Sequence, residues 1–344
     1  MKAIVALLAG GLLLLSATPS AAQEPLDDAI AMLETEPVRA LAALEALAEA
    51  GDNEARNAVA SVLNSPPEGV PRDEARAVRL WEQSVAAGSE AARLNLGTYL
   101  LLNDDPADDT RAVSMLQAID EPRLVPLAAY PLGRAALFGN GMERDLEEGS
   151  RLMAAAVEAT PANTDAQFLL GRAYQNGWGI PVDAVAAYRH LKAAADGGDA
   201  RAMWNVGMAL LNGEGVTANP VQAYQYVRSS AEAGYSSGMI SLGVMLAVGQ
   251  GVQPHPAEAR EWYRLAAEDG SAHALRGLAG MLLTGEGGRV DAIRGAAYLD
   301  LAAKAGDAQA RQMQQAVAGQ LAALDQGAVE AAKAAWLRDH GVPR

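Results

Sequence analysis

Apolar positions along most of this chain recur at helical spacing. In the stretch from Ala200 to Gly234, Ala202, Val206 and Leu210 fall four residues apart, one face of a helix. Asn212-Gly213-Glu214-Gly215 ends that run, because glycine accepts the left-handed conformation that closes helices. Val216 to Pro220 forms a loop, with Asn219 and Pro220 at the cap and first-turn positions of a second helix. Ala223, Tyr226, Val227 and Ala231 make the second apolar face, and Gly234 closes it. The pattern predicts a helix–loop–helix–turn unit. Asp183, Asn219, His255 and Asp291 share the cap position, and three of the four are good caps.

The unit repeats. Gly-x-Gly occurs at Gly139/Gly141, Gly177/Gly179, Gly213/Gly215, Gly249/Gly251 and Gly285/Gly287, with steps of 38, 36, 36 and 36 residues. Gly198, Gly234, Gly270 and Gly306 form a second series 36 apart. Leu132-Gly133, Leu170-Gly171, Val206-Gly207, Leu242-Gly243 and Leu278-Ala279 form a third. Self-similarity at a period between 20 and 50 residues is the signature of a solenoid. A glycine inside the first helix costs about 1 kcal/mol against alanine, so its recurrence at one phase predicts close approach by a bulky second-helix residue: Trp262, Tyr263, Tyr226 or Tyr298.

These residues carry a family resemblance. Ala-x-x-x-Leu-Gly-x-x-Tyr-x-x-Gly-x-Gly, clearest over Ala166 to Gly179, and the second half AREWYRLAAEDG over Ala259 to Gly270 resemble the Sel1-like repeat, a relative of the tetratricopeptide repeat. The resemblance implies an all-α fold, a right-handed α-solenoid of stacked helix pairs. Strong copies cover about 165 to 307, Leu132 to Val157 is a fair one, Glu54 to Gly88 is degenerate, and Glu90 to Glu121 has Asn103-Asp104-Asp105 where Gly-x-Gly belongs. The expected organisation is 1–22 leader, 23–53 N-terminal capping helices, 54–125 degenerate repeats, 126–307 repeats and 308–344 C-terminal capping helices. Leu324 to Leu337, with Trp336, resembles the closing helix of such arrays.

The start of the chain reads as an address. Met1-Lys2 is followed by an uninterrupted Ala/Ile/Val/Leu/Gly run from Ala3 to Leu15 and then by Ser20-Ala21-Ala22, the layout of a secretory signal cleaved after Ala22. The run is too short to span a bilayer, which takes about 20 residues. The expected product is periplasmic or secreted, without stable membrane insertion after cleavage.

Composition removes several chemistries. Half the residues are hydrophobic but only 5% are aromatic, and there is no cysteine, so thiol catalysis, zinc fingers and disulfide frameworks fall away. Cysteine-rich secreted relatives of the Sel1 type are linked to β-lactam binding, and this chain departs from that subgroup. A net charge of −15 argues against a nucleic-acid partner. Residues 23–125 carry 20 acidic and 8 basic side chains, a field that would steer a basic partner. Asp104-Asp105-Pro106-Ala107-Asp108-Asp109 is the densest acidic run and lacks calcium-loop spacing. His190, His255, His273 and His340 show no metal-ligand spacing. No cofactor and no metal is expected.

The candidate site is a column on the first helices. Counted from the recurring glycine, the core positions are −5, −1, 0 and +3. At helical periodicity position −3 lies roughly 135° from their mean direction, and +1 nearly opposite it. Position −3 reads Tyr130, Phe168, Trp204, Ile240 and Arg276; +1 reads Arg134, Arg172, Met208, Val244 and Gly280. Aromatics and arginine are the usual anchors of contact surfaces. Two readings stand: a groove binding through Tyr130, Phe168, Arg172, Trp204, Met208, Ile240 and Val244, or packing between neighbouring repeats.

The resemblance implies a non-enzymatic scaffold or adaptor of the bacterial envelope, offering a concave surface to a protein or peptide. Exported relatives act as adaptors in polysaccharide export, as regulators of sensor kinases or as host-contact factors. A glycan or peptidoglycan binder stacking sugars on Trp204 and Phe168 is the first alternative. A hydrolase centred on Ser236 is the second, because Gly234-Tyr235-Ser236-Ser237-Gly238 matches the G-x-S-x-G nucleophile motif. That motif needs a strand-to-helix turn, whereas the pattern here places it between two helices. Gly213-x-Gly215-x-x-Ala218 likewise follows a helix where a dinucleotide fingerprint follows a strand.

Overall fold

The computed structural model describes residues 24–103 and 105–343. The expected leader with its cleavage point after Ala22, and Asp104 of the acidic run, lie outside them. Among the described residues every regular element is helical. The chain falls into two compact units, Met1–Val182 and Asp183–Arg344.

The first unit begins with α1 (Glu24–Ala31) and α2 (Pro37–Glu49). Three antiparallel pairs follow: α3 (Asn53–Asn64) with α4 (Glu74–Ala86), α5 (Glu90–Leu102) with α6 (Pro106–Gln117), and α7 (Val125–Phe138) with α8 (Leu146–Ala159). The unit ends on α9 (Thr164–Asn176). Its core is a run of buried Leu, Val and Ala from Leu26 to Ala135 around Trp81, and a second cluster around Leu137, Met153 and Leu170.

The second unit holds α10 (Ala184–Asp196), α11 (Ala200–Asn212), α12 (Pro220–Glu232), α13 (Ser236–Val248), α14 (Pro256–Glu268), α15 (Ala272–Thr284) and α16 (Ala292–Lys304). These helices pack each against the next. Then come α17 (Ala308–Ala316), α18 (Ala318–Ala322) and α19 (Gln326–His340). Helix starts obey the cap reading. Asp183, Asn219 and Asp291 accept backbone N–H bonds from Ala186, Gln222 and Arg294, while His255 makes no side-chain cap.

The two glycines of each Gly-x-Gly do different things. The first is the left-handed helix cap, as at Gly213 (φ 75°) and Gly249 (φ 77°). The second, at φ 69° in Gly215, lies against the preceding repeat: a Cβ there would overlap the Ala184 carbonyl, and one at Gly251 the Pro220 carbonyl. Both carbonyls belong to the first turn of the second helix one repeat earlier. The motif is therefore a joint between repeats as well as a helix stop.

The helix-internal glycine does meet a second-helix side chain, but the expected partners need correction. Only Tyr263 fills the role, its ring 3.1 Å from a Cβ placed on Gly243. At Gly207 the neighbour is Val227, at Gly133 Met153 and at Gly97 Leu116. Tyr226, Trp262 and Tyr298 each sit one residue earlier than the inward position, about 100° round the helix. They are half-buried on its outer side, where the Lys192 ammonium lies 5.8 Å from the Tyr226 ring centroid.

The array ends by a change of pattern. On α10, α12 and α14 a base precedes an acid by four residues: Lys192–Asp196, Arg228–Glu232 and Arg264–Glu268. On α16 the order reverses to Asp300–Lys304. The displaced carboxylate receives Lys333 of α19 at 2.7 Å and Gln314 of α17 at 3.3 Å. Ala296 stands where earlier repeats carry Tyr188, Tyr224 and Arg260, and packs in one cluster with Val329 of α19. Small size and reversed charge together seat the closing helix.

Candidate functional site

In the first unit, Tyr130 on α7 and Phe168 on α9 are half-buried and pack on one core cluster with Ala129, Met153 and Leu170. Arg134 and Arg172 are half-buried on the same helices. In the second unit, Trp204 and Met208 lie on α11, Ile240 and Val244 on α13, and Arg276 and Gly280 on α15. Val244 alone among these residues is exposed, at 42%.

Within the second unit position −3 reaches the next repeat. The Trp204 indole N–H donates to Ser241 Oγ at 2.9 Å, and its ring meets Tyr235 nearly edge-on with centroids 6.1 Å apart. Arg276 Nε donates to Asp307 Oδ2 at 2.9 Å. Asp307 also caps α17 by accepting the Ala310 N–H. Burial pushes its carboxyl up, but that N–H and the Arg276 guanidinium outweigh burial and hold it below the usual carboxylate range. For Trp204 and Arg276 the packing reading thus describes the side chain. Trp204→Phe should lower unfolding free energy by about 1 kcal/mol, the net worth of the bond to Ser241. Urea titration of Trp204→Phe in the wild type and in a Ser241→Ala background checks this, since an equal loss without Ser241 would assign the effect to ring volume.

The first helices bury a wider arc than the sequence set of −5, −1, 0 and +3. Asn205 at −2 and Ala209 at +2 are buried as well, because each first helix of the second unit packs on its own partner and on the second helix before it. What remains open on α13 is the edge at +1 and +5. Val248, at +5, is 67% exposed beside Val244 and was missed in the sequence. The signal was present: Ser236 to Val248 contains no charged residue.

The other candidates resolve locally. Ser236 opens α13 directly after α12, so the strand a nucleophile elbow requires is missing at this position. In the acidic run, Asp105 accepts the Ala107 N–H as the cap of α6, and Asp108 and Asp109 lie in its first turn, where negative charge favours the helix dipole. Among the described residues no group of three or more His, Asp or Glu could hold a metal. None of the described helices is long and apolar enough to cross a membrane. His190 is half-buried, and burial followed by Arg189 lowers its pKa.

Comparison with known proteins places these features. The Sel1 repeat family model matches residues 54–89, 91–118, 126–159, 164–199, 200–235, 236–271 and 272–307. Among solved structures the chain is similar to a Sel1 repeat protein from Oxalobacter formigenes, at 26% identity over 72% of this chain and 96% of that one, with a TM-score of 0.61. It is also similar to a protective antigen of uropathogenic Escherichia coli displaying an SLR fold, at 18% identity over 93% and 92% of the chains, TM-score 0.38. A Sel1 repeat protein from Klebsiella pneumoniae shows 22% identity over 59% and 97%, TM-score 0.39. The comparison with curated proteins gives no match. The seven matched segments cover well over half of the chain and each holds two successive helices, so the chain belongs to the Sel1 repeat family.

Proposed function

We propose that this protein is a non-enzymatic scaffold of the bacterial envelope that holds a partner protein or peptide on the first-helix face of its repeats. Sel1 repeat proteins mediate protein–protein interaction, and the solenoid is typically a scaffold without catalytic chemistry. The observation that carries the reading for this chain is α13: a helix without a charged residue whose Val244 and Val248 stand in solvent on the face it shares with Ile240. A helix without charged residues lacks the solvated face of an ordinary surface helix, and exposed apolar surface marks contact sites. Met208 on the adjacent α11 supplies a side chain that adapts to a partner's shape.

The export part rests on the leader-like first 22 residues, and N-terminal sequencing of protein recovered from the periplasm should begin at Gln23. The contact part is tested by Val244→Asp with Val248→Asp. Both residues are exposed, so unfolding free energy should stay within about 0.5 kcal/mol of wild type, while in-cell crosslinking to the partner should drop at least about tenfold. Unchanged crosslinking would remove this face from the proposal. Protein binding is preferred over sugar stacking here because the Trp204 ring is half-buried and its N–H is already bonded to Ser241.

A further inference from the structure

The second unit also contains a cleft that shares no lining residue with the α13 face. It has a volume of about 630 Å³ and is walled by α14, α16 and α19, with Leu278 and Leu282 of α15 at its base. That volume lies in the range of small-molecule sites, about 300–1,000 Å³. The cleft draws on the last two repeats and on α19, which forms one of its walls.

Its lining is chemically mixed. Arg260, Arg264 and Arg294 supply guanidinium donors, and Glu261, Glu268, Asp291 and Asp339 supply carboxylate acceptors. Arg264 is shared between Glu261 and Glu268, so its charge is already balanced. Arg294 is largely exposed, and its ion pair to Asp291 is a long 3.6 Å. Tyr298, half-buried, and Trp336, only 6% exposed, meet nearly edge-on with centroids 4.7 Å apart, and the His340 ring centroid lies 4.2 Å from that of Trp336.

An anion would need a net positive lining and a cation a net negative one, and neither sign prevails here. Planar donors and acceptors in near balance beside the part-exposed carbon of Tyr298 and Ile293 suit a ligand whose polar groups both donate and accept and whose other faces are C–H. Hydroxyl groups behave in this way, and a sugar ring presents them around an apolar face. Arg and carboxylate side chains can each take two such groups at once. We propose that this cleft binds a neutral saccharide of one to three rings. The site is independent of the α13 face, so either proposal can fail alone.

The test uses the full chain with maltotriose, cellotriose and triacetylchitotriose as neutral probes, and trigalacturonate and the chitosan trimer as charged ones, followed by calorimetry and ligand-observed NMR. At least one neutral trisaccharide should bind saturably. Arg294→Ala and Asp339→Ala should each weaken it by about tenfold or more, with unchanged circular dichroism and melting. Val244→Asp should leave it unaffected. The inference is overturned if no neutral probe saturates, if binding is confined to a charged probe, or if both cleft variants bind like wild type. Should either cleft variant melt early, Arg294→Lys and Asp339→Asn take its place under the same criterion.

Discussion

Replacing Gly215 by alanine should destabilise the second unit by about 3 kcal/mol. Two costs add. A non-glycine residue in the left-handed region loses roughly 1–2 kcal/mol, and Gly215 has φ 69°. Its new Cβ would also overlap the Ala184 carbonyl, a backbone atom that cannot swing aside as a side-chain tip does. Overpacking of that kind costs about 1–3 kcal/mol. Gly198 is the control, with φ 96° and nothing within 4 Å of an added Cβ. Gly198→Ala should therefore show the conformational cost alone, about 1 kcal/mol. Equilibrium urea unfolding of both variants measures the difference. Because a repeat is coupled only to its neighbours, Gly215→Ala should also broaden the transition as the joint loosens. Equal destabilisation of the two variants would mean that the second glycine of Gly-x-Gly serves turn geometry alone.

Asp300→Ala should be the most damaging single change at the C-terminal end, at about 2–4 kcal/mol. The Lys333 side chain is only 9% exposed and depends on Asp300 at 2.7 Å and on an exposed Glu330. Removing Asp300 leaves the Lys333 ammonium to the exposed Glu330 alone, and a mostly buried charge that loses its better-shielded partner is costly. Burial pushes the Asp300 carboxyl up, but hydrogen bonds from Lys304 and Lys333 outweigh it and hold the group below its ordinary value. Burial pulls Lys333 down, but Asp300 and Glu330 outweigh it and raise its pKa.

The signs follow from these directions. The Asp300 contribution is fully present above its unfolded pKa, near 3.9, and disappears as pH falls through the lower folded value. The Lys333 contribution is present below about 10.4 and disappears as pH rises through the higher folded value. Native-state hydrogen exchange should show α19 losing protection in Asp300→Ala at pH 7, with α11 to α14 unchanged. Asp300→Asn with Lys333→Met, which removes both charges, should recover part of the loss. If the double variant is as unstable as Asp300→Ala, the ion pair is not what holds α19.

The solenoid was legible because a repeat states its rules several times. One Asn219 before one Pro220 would be a weak cap, but Asp183 and Asp291 at the same phase make the helix start unambiguous. The first glycine of each Gly-x-Gly could be read likewise, because helix termination is local. The partner of Gly207 could not. Tyr226 and Val227 are adjacent and both apolar, and only the rotation of α12 against α11 points Val227 inward. The same limit applied to the column of Tyr130, Phe168 and Trp204. The 100° step showed that position −3 avoids the core of its own pair, and it says nothing about the next pair, whose Ser241 and Tyr235 engage Trp204. The last repeat was legible in part, since the reversal from Arg264–Glu268 to Asp300–Lys304 is visible in the sequence. Its meaning appears only once Lys333 arrives.

What the sequence determined by itself is the set of local, repeated features: helix lengths, caps, stops, the family and the period that stacks one pair on another. These depend on backbone conformations that a few residues control within a turn or two. What only the tertiary structure decided are the contacts across repeats: why Gly215 and Gly251 admit no side chain, why Trp204 is a clasp, why Val244 and Val248 remain open, and where Arg294, Tyr298 and Trp336 come together. Such contacts join residues about 30 or more positions apart, and their geometry depends on the angle between helices, which no single helix encodes.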